Sequence, residues 1–412
     1  MTGSIVIVGG GECGTRAAFA LREIGDDCSV TLIGGEPDLP YERPPLSKEA
    51  LASAENDVVP KTIATQAAFD AAGIHLLTGT KARMIDRGAK RVRLADGAPV
   101  PYDRLLIATG ATPRRLALVP ADDERCAYLR TLDDARRIKR HLRPDSRVAI
   151  VGGGFIGLEL AATARKRGAA VVVLEALPRI LTRTVPEEVA RVVHDRQLAE
   201  GVEIVCNAEI VSIVPGADSV EIVLGTGRHL SADFVVVGIG VVPVVDLAQE
   251  AGLAIDNGIA VDETLRTSDP DIFAAGDCCS FPLALYDGRR VRLEAWRNAI
   301  DQGNLAARNM RGAEEPHTAV PWFWSDQHDL TLQIAGQPGE GTATVRRDLG
   351  TAAFILFHIA ADGRLVAASG IGPGNAVARD MRIAEILVAR RARPAPAVLV
   401  APETKLKSLL AA

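Results

Sequence analysis

Two glycine-rich segments carry the residues whose type and spacing could bind phosphate. In the first, Gly9, Gly11 and Gly14 follow an apolar run at 5–8 and precede an alanine-rich segment. The first glycine permits a tight turn, the second lets a pyrophosphate approach the backbone, and the third lets a helix pack closely on a strand. The N-terminus of that helix would offer unpaired N–H groups to the phosphates. The spacing predicts a dinucleotide-binding turn between a strand and a helix.

The second segment repeats this arrangement. Gly152, Gly154 and Gly157 follow the apolar run 148–151 and again precede an alanine-rich segment. A single glycine motif of this kind also occurs for structural reasons, but two copies predict two bound dinucleotides. A common reason to bind two dinucleotides is to pass electrons between a flavin and a nicotinamide.

Acidic residues near the ends of the next strands predict which dinucleotides are bound. Glu175 ends the apolar run that follows the second glycine segment, where a carboxylate binds the ribose 2′-hydroxyl of NAD and repels the 2′-phosphate of NADP. Arg179 and Arg183 follow closely, so some use of NADPH stays open. Glu36 is the corresponding candidate for the first dinucleotide, although it sits a little past the predicted strand end.

A segment at 40–48 contains the adjacent prolines Pro44 and Pro45, which stiffen it, and ends in Ser47 and Lys48. Ser47 could cap a helix. Two interpretations of Lys48 stay open at this point. It is either a solvated lysine in a surface loop or a cation held beside a bound cofactor.

The elements that position these residues must come from a chain of 412 residues that is 48% hydrophobic, which is enough for two to three domains. The formal net charge of −5 argues against nucleic-acid binding. Apolar runs are too short to span a membrane, and only four residues precede the first predicted strand, which leaves no room for a signal peptide. The six cysteines are scattered and suggest no disulfide framework. We expect a soluble, cytoplasmic protein.

Five further segments, in this order, resemble the FAD-dependent ferredoxin reductases that serve Rieske oxygenases and bacterial P450s, which are similar to glutathione reductase in fold. The segments are 39–48, 102–111, 128–131, 267–277 and 321–327. The resemblance implies an α/β fold with two Rossmann-like dinucleotide-binding domains, for FAD and NAD, and a small α+β C-terminal domain. The implied boundaries are 1–113 and 241–320 for the FAD-binding domain, 114–240 for the NAD-binding domain, and 321–412 for the C-terminal domain.

The resemblance also implies functional residues. Lys48 and Glu159 are the predicted catalytic residues, and no metal site is predicted. The predicted cofactor-binding residues are Gly9, Gly11, Cys13, Gly14, Glu36, Arg43, Lys48, Ala82, Thr109, Gly110, Arg130, Gly276, Asp277, Trp296, Trp324, Gly152, Gly154, Ile156, Gly157, Glu159, Glu175 and Gly240.

Several of these residues have a structural alternative. Glu159 lies in the first turn after the second glycine segment, where a carboxylate also favours the helix dipole. Asp277 could be a helix N-cap as well as an FAD ligand. Trp324 could be a core residue rather than a neighbour of the flavin. The adjacent Cys278 and Cys279 are predicted to be packed thiols rather than a strained disulfide.

Cysteines at a C-x-x-x-x-C spacing, which glutathione-reductase-like enzymes carry near this point, are absent from 43–48. A disulfide relay is therefore not predicted, and electrons must leave the flavin directly. A flavin accepts two electrons as hydride from NADH and can release them singly, which suits an iron–sulfur acceptor. By the resemblance, Lys48 would lie near flavin N5. Two departures from the family are Gly35, where an acidic residue is usual, and Cys13, where alanine is frequent.

The predicted function is transfer of electrons from NADH through FAD to a small, two-iron ferredoxin that feeds an oxygenase. Alternatives are an NADH oxidase that uses oxygen, a redox sensor that resembles apoptosis-inducing factor, and a rubredoxin reductase. Because ferredoxins are usually acidic, we expect a basic docking patch. Its candidate residues are Arg289, Arg290, Arg292, Arg390, Arg391 and Arg393.

Overall fold

The computed structural model describes residues 3–25, 27–53, 57–120, 123–401 and 403–411. The strands are β1 (Ser4–Val8), β2 (Ser29–Ile33), β3 (Ile74–Leu77), β4 (Ala82–Asp86), β5 (Arg91–Leu94), β6 (Pro99–Pro101), β7 (Arg104–Ile107), β8 (Ala111–Pro113), β9 (Cys126–Tyr128), β10 (Arg147–Val151), β11 (Ala170–Glu175), β12 (Val202–Cys206), β13 (Ile210–Pro215), β14 (Val220–Leu224), β15 (His229–Ala232), β16 (Phe234–Val237), β17 (Val241–Pro243), β18 (Ile259–Ala260), β19 (Ile272–Ala274), β20 (Cys279–Leu283), β21 (Arg289–Val291), β22 (Trp322–Gln327), β23 (Leu330–Gly336), β24 (Ala343–Asp348), β25 (Phe354–Ile359) and β26 (Leu365–Pro373).

The α-helices are α1 (Glu12–Glu23), α2 (Glu49–Ala52), α3 (Gln66–Ala71), α4 (Leu132–His141), α5 (Phe155–Lys166), α6 (Glu187–Ala199), α7 (Asp246–Glu250), α8 (Trp296–Met310), α9 (Ala378–Ala389) and α10 (Pro396–Val400). Short 3-10 helices cover Pro44–Ser47, Gly276–Cys278, Ala284–Tyr286, Pro338–Glu340 and Leu406–Leu410.

The chain divides into two compact units. The first comprises Met1–Glu42, Lys61–Thr112 and Val242–Ala319. The second comprises Arg43–Pro60, Pro113–Val241 and Val320–Ala412.

The first unit is built on a parallel sheet in the order β19-β7-β1-β2-β3. Ile5, Val6 and Ile7 of the central strand are at most 1% exposed, as expected for β-branched residues in a strand that is covered on both faces. Strands β2 and β3 lie on one side of β1, and the later strands β7 and β19 lie on the other. The turn from β1 into α1 is therefore at the topological switch point, where α/β sheets bind ligands. This unit also contains the antiparallel sheet β4-β5-β6 and the mixed sheet β18-β20-β21, in which β20 pairs with β18 in parallel and with β21 antiparallel.

The second unit contains a parallel sheet in the order β12-β11-β10-β16-β9, with the antiparallel sheet β13-β14-β15 beside it in the chain. Its last part is an antiparallel sheet in the order β22-β23-β26-β25-β24, followed by α9. Strand β22 is therefore an edge strand of the C-terminal sheet. A T-shaped contact between Phe323 on β22 and Phe155 on α5, with ring centroids 4.7 Å apart, joins this edge to the nucleotide-binding part of the same unit.

The described residues of 43–60, which the predicted boundaries assign to the FAD-binding domain, pack within the second unit. The hydroxyl of Thr163 on α5 donates to the carbonyl of Ser47 (2.8 Å), and the buried ammonium of Lys139 on α4 donates to the carbonyls of Ala50 (3.3 Å) and Asp57 (2.9 Å). These bonds satisfy both the segment's carbonyls and a charge that burial would otherwise destabilise. They attach Lys48 to the unit that carries Glu159.

Candidate functional site

Each glycine segment forms the turn that the sequence predicts, and its outer glycines are required by close backbone contacts. A Cβ atom on Gly14 would lie 2.0 Å from the carbonyl oxygen of Gly9, and a Cβ on Gly157 would lie 2.2 Å from that of Gly152. Gly9 has a φ of +126° and Gly152 a φ of +111°, which residues with a side chain rarely adopt. The outer glycines therefore let α1 and α5 begin directly against their strands.

The middle glycines face open space. A Cβ atom on Gly11 or Gly154 would meet nothing within 4 Å, and each residue is the N-cap of its helix without a side-chain cap. The first N–H groups of α1 and α5 are thus left for another acceptor. Each turn fits the pyrophosphate of a dinucleotide, and the fit rests on this concave backbone rather than on any side chain.

The first unit holds the following predicted FAD-binding residues: Gly9, Gly11, Cys13, Gly14, Glu36, Ala82, Thr109, Gly110, Gly276, Asp277 and Trp296. Glu36 accepts a hydrogen bond from the Tyr41 hydroxyl (2.5 Å), which fixes this carboxylate three residues beyond the end of β2. The Thr109 hydroxyl donates to the carbonyl of Val244 (2.7 Å). Ala82, at the start of β4, is half-buried.

Near Gly276, the side-chain amide of Gln302 has a hydrogen-bond donor that no described protein group uses. The Gly276 N–H donates to Gln302 Oε1 (2.7 Å), while Gln302 Nε2 is buried without a hydrogen-bond partner among the described residues. Gly276 has a φ of +81°, and a Cβ there would lie 3.2 Å from Cβ of Cys13. This buried, unsatisfied donor fits a large polar cofactor such as FAD in the first unit.

The N-cap alternative for Asp277 is wrong. Asp277 lies inside the 3-10 helix Gly276–Cys278, whose N-cap is Ala275, and the chain then enters β20 instead of an α-helix. Its role toward FAD stays a prediction.

The cysteines near this turn are packed thiols, as predicted. None of the six cysteines, all of which lie in the described residues, forms a disulfide. Cys13, Cys278 and Cys279 are buried, and burial raises the pKa of all three thiols above the ordinary value. Protonated thiols are poor nucleophiles, so these side chains act as small packed groups.

The second unit contains the remaining predicted site residues: Arg43, Lys48, Arg130, Gly152, Gly154, Ile156, Gly157, Glu159, Glu175, Gly240 and Trp324. The Arg43 guanidinium donates to the carbonyl of Arg130 (2.6 Å), so the structure brings these two residues together. Arg130 directly precedes Thr131, the N-cap of α4, where Asp134 completes a capping box. Ile156 is exposed on the first turn of α5, and Gly240 has a φ of +103°.

Glu175 ends β11 beside the second glycine turn, where the sequence places it. Its Oε2 accepts from the N–H of Gly153 (2.6 Å) and its Oε1 from that of Leu177 (2.8 Å). These backbone bonds orient the carboxylate. Arg179 donates to the carbonyls of Ile180 (3.1 Å) and Val185 (3.0 Å), so its guanidinium is bound to its own loop.

Lys48 and Glu159 form an ion pair inside the second unit. Lys48 Nζ lies 3.4 Å from Glu159 Oε1 and 3.0 Å from Asp326 Oδ2 on β22. The Lys48 and Glu159 side chains are only 14% and 8% exposed, whereas Asp326 is 41% exposed. Desolvation lowers the pKa of Lys48, but the two carboxylates outweigh it and raise this pKa overall. Lys48 is therefore a fixed cation and not a solvated surface lysine.

Burial raises the pKa of Glu159, and the Lys48 ammonium and two hydroxyl groups oppose that effect. The Ser47 hydroxyl donates to Glu159 Oε2 (2.5 Å) and the Ser325 hydroxyl to Oε1 (2.6 Å). Ser47 therefore does not cap α2, whose N-cap is Lys48 without a side-chain bond. These contacts of Ser47 and Ser325 are not predicted from the sequence, although Ser325 is a polar residue within a strand pattern.

Trp324 adds an aromatic face to this cluster. Lys48 Nζ lies 5.3 Å from the centroid of its ring, and the ring stacks on Trp322 at 5.5 Å. The indole N–H donates to Asp326 Oδ2 (3.2 Å). Trp324 is half-buried, so it is not a closed core residue.

Comparison with known proteins gives consistent matches. The family described as "Pyridine nucleotide-disulphide oxidoreductase" matches residues 3–303, and the family "Reductase C-terminal" matches residues 322–410. The chain is 42% identical, over 98% of both chains, to the ferredoxin–NAD(+) reductase component of the anthranilate 1,2-dioxygenase system of Burkholderia cepacia. It is 38% identical to putidaredoxin reductase of Pseudomonas putida, over 87% of this chain and 86% of that protein.

Solved structures match as closely. The covalent putidaredoxin reductase–putidaredoxin complex contains a chain that superposes with a TM-score of 0.92 at 34% identity, covering 99% of this chain and 98% of that one. A ferredoxin reductase for the CYP199A2 system of Rhodopseudomonas palustris gives a TM-score of 0.92 at 35% identity, covering 98% and 99%.

Proposed function

The chain belongs to the pyridine nucleotide-disulphide oxidoreductase family, and on that premise we propose that it takes electrons from NADH and delivers them singly to a small two-iron ferredoxin of an oxygenase system. The chain is an oxidoreductase that uses FAD and NAD(H), which confirms the cofactors predicted from the glycine segments. The predicted fold and the resemblance to the ferredoxin reductases are also confirmed.

The proposal rests on the ion pair of Lys48 with Glu159, which the chain has where glutathione-reductase-like enzymes have a dithiol. Segment 43–48 has no cysteine, and the structure places at its end an ammonium, Lys48, between the carboxylates of Glu159 and Asp326. A dithiol relay needs two thiols that can form a disulfide. A buried ion pair instead supplies fixed charge, which suits direct transfer of electrons to an external acceptor.

The turn at Gly9, Gly11 and Gly14 would hold FAD, and the turn at Gly152 and Gly154 would hold NADH. When bound, FAD accepts a hydride from NADH and releases the two electrons one at a time. The protein's part is to bind both dinucleotides, to exclude thiol chemistry and to set the charge around the reacting rings.

Lys48 keeps its positive charge across the working pH range because its pKa is raised. A fixed cation stabilises negative charge at short range, which is the role we assign to it. Glu159, held by two hydroxyl groups and Lys48, is the group we assign to the nicotinamide.

The preference for NADH over NADPH rests on Glu175. Its carboxylate is fixed by Gly153 and Leu177 at the end of β11, where it would accept from a ribose 2′-hydroxyl and repel a 2′-phosphate. Arg179 is bound to its own loop and does not offset this charge. We propose that NADPH is a poor substrate.

Membership of the family does not by itself identify the electron acceptor or the cellular compartment, and we propose both. The name of the Burkholderia relative includes a ferredoxin, and a matched structure is a complex with putidaredoxin. Six cysteines that form no disulfide suit a reducing compartment, so we propose that the protein works in the cytoplasm. No helix in the described part of the chain combines the length and apolar character that crossing a bilayer requires.

The test is the rate of NADH oxidation by the FAD-loaded protein in air alone, with ferricyanide, and with a two-iron ferredoxin. We expect slow turnover in air and strong acceleration by both one-electron acceptors. Fast turnover in air, little changed by acceptors, would indicate an oxidase. Sluggish turnover with every acceptor would indicate a redox sensor.

A pair of lysine variants sharpens this test. Lys48→Met removes the buried cation and should slow NADH-dependent reduction by about tenfold or more, because charged hydrogen bonds contribute about 1.5–3 kcal/mol. Lys61→Met removes an exposed lysine paired with Glu42 and should leave the rate unchanged. Equal rates in the two variants would contradict the role of Lys48.

A further inference from the structure

Beyond the ion pair, a chain of buried polar side chains leads away from Glu159. The Ser325 hydroxyl, which donates to Glu159 Oε1, accepts from Gln327 Nε2 (2.9 Å). Gln327 Oε1 in turn accepts from Gln197 Nε2 on α6 (2.9 Å), and His328 Nε2 lies 3.1 Å from Gln197 Oε1. These bonds join β22 and α6 to a residue of α5 within one unit.

The bonds of this chain have one direction. The Gln197 amide nitrogen donates both to Gln327 and to the carbonyl of Leu158 (3.0 Å), so its oxygen faces His328. The Gln327 oxygen is used as an acceptor, and its nitrogen therefore faces Ser325. The single hydrogen of Ser325 is then left for Glu159. Every member donates toward the carboxylate, and successive hydrogen bonds polarise one another in this sense.

The three polar side chains of this chain of hydrogen bonds are fully buried. Gln197, Ser325 and Gln327 are all 0% exposed. Buried polar groups destabilise a fold unless their partners are in place, so an apolar core at these positions would be simpler to stabilise. Amide groups do not relay protons at neutral pH, so the chain can orient and polarise the carboxylate but not carry a proton to it.

The network is also tied to the helix that carries Glu159. Gln197 donates to the carbonyl of Leu158, the residue directly before Glu159 on α5. It thus fixes both the side-chain contacts of the carboxylate and the backbone next to it. The C-terminal sheet, through its edge strand β22, supplies two of the three members.

We infer that Ser325, Gln327 and Gln197 are positioning residues that orient the Glu159 carboxylate and keep it ionised for its work on the nicotinamide. The inference rests on the role proposed above for Glu159. It extends that role by making the C-terminal sheet part of the machinery that prepares the NADH site.

The test is the titration of the Glu159 carboxyl group, measured by pH-difference infrared spectroscopy and assigned by the band that Glu159→Gln removes. The charged groups that face Glu159 are Lys48 and, through Lys48, Asp326. At the far end, His328 is surrounded by the charges of Lys166, Arg196, Glu200 and Asp329. The measurement is made on the FAD-loaded protein without nucleotide, so it does not depend on turnover.

Ser325→Ala removes one of two hydroxyl donors and should move the titration midpoint upward by about one pH unit, the effect of losing one hydrogen bond to a charged group. Gln197→Met removes the amide two bonds away and should give a smaller shift in the same direction. The matched control is Ser369→Ala, a 0%-exposed serine of the same sheet whose hydroxyl pairs with His358. It should leave the midpoint unchanged.

Binding and kinetics give independent readouts. Ser325→Ala should weaken NAD+ binding and lower kcat/KM for NADH mainly at acidic pH, where the unsupported carboxyl group becomes protonated. An unshifted midpoint in both Ser325→Ala and Gln197→Met would overturn the positioning role. If Glu159→Gln itself left NADH oxidation unchanged while the midpoints shifted, the proposed role of Glu159 would fail, and the purpose inferred for the network with it.

Discussion

The two glycine turns of this protein have the same backbone, but different side chains surround them. In both, a Cβ atom on the last glycine would lie 2.0 or 2.2 Å from a carbonyl oxygen, whereas the middle glycine faces open space. Around the first turn lie buried thiols that burial keeps protonated. Near the second, α5 carries Glu159, with Lys48 and two hydroxyl groups bound to it.

This difference separates holding a cofactor from reacting with one. The first turn, with Gln302 and packed cysteines near it, offers shape and neutral hydrogen bonds, and the ion pair near it, Glu12 with Arg16, is formed within α1 itself. The second unit offers fixed charge, because residues far apart in sequence converge on one helix. A shared fold therefore says where dinucleotides bind, and the packing around each turn says what chemistry follows.

Substitution of the glycines should have the largest effects on stability and tests whether both turns need their last glycine. Gly14→Ala and Gly157→Ala would place a Cβ atom 2.0 or 2.2 Å from a carbonyl oxygen, and we expect each to destabilise its unit by about 3 kcal/mol or more. Gly11→Ala and Gly154→Ala meet nothing in the protein and should fold. Thermal melting of the four variants measures this difference.

The middle-glycine variants then distinguish the two sites. Gly11→Ala should lower the FAD content, seen as lost flavin absorbance, while Gly154→Ala should retain FAD and weaken NAD+ binding. If Gly154→Ala lost FAD, or Gly11→Ala lost only NAD+ affinity, the assignment of the two turns would have to be exchanged.

Acid should weaken both units through one buried histidine in each. Burial lowers the pKa of His317 in the first unit and His358 in the second from 6.5 to about 4. Because the unfolded chain binds these protons more tightly, the stability is complete above pH 6.5 and is lost as the pH falls toward 4. Each histidine should cost up to about 3 kcal/mol at pH 4, since one pKa unit corresponds to about 1.4 kcal/mol.

The measurement is the melting temperature between pH 7 and pH 4. His317→Phe, next to the ring of Phe281, and His358→Gln should each flatten the acid dependence of the melting temperature. Acid profiles identical to that of the unsubstituted protein would contradict this origin of the acid sensitivity.

The acidic residue at the end of β11 and the one beyond β2 should differ in their effects on dinucleotide binding. Glu175→Ala removes a carboxylate fixed by two backbone N–H groups beside the second turn, and should weaken NADH binding about 10- to 100-fold. Glu36→Ala removes a carboxylate that is bound to Tyr41 three residues past the end of β2. It should weaken FAD binding by a smaller factor than Glu175→Ala weakens NADH binding. Equilibrium titration with NADH and the fraction of retained flavin give the two values. A larger loss in Glu36→Ala would show that the shifted acid fully replaces the one missing at Gly35.

The sequence predicts what short-range pattern controls. Both turns, the strands before them and Glu175 follow from the spacing of glycines and β-branched runs, because these features act within about 25 residues. The pairing of Gln197 with Gln327 joins side chains 130 positions apart, and no local pattern specifies it. Ser47 looks like a helix cap by its neighbours, yet it contacts Glu159, 112 positions away. The site was therefore predictable as a place and as a few residues, but the network that tunes it was not.

Charge reversal in the predicted basic patch should give the smallest effect, and the candidate arginines of the two units differ in how they are bound. In the first unit, Arg290 donates to the carbonyls of Val261 and Ser280, and Arg292 is only 12% exposed and paired with Glu294. These two arginines are committed to the fold. In the second unit, Arg391 is exposed and Arg393 is 64% exposed beside Asp362.

We therefore expect Arg391→Glu and Arg393→Glu to slow ferredoxin reduction several-fold at low salt, by roughly threefold to tenfold, and to weaken its salt dependence. Reduction of ferricyanide by NADH is the control and should not change. Arg289→Glu, at an exposed position of the first unit, tests whether that unit also contributes to the patch. Unchanged ferredoxin kinetics in all three variants would remove the basic patch from the proposal, because long-range attraction to an acidic partner cannot survive the reversal of the charges that create it.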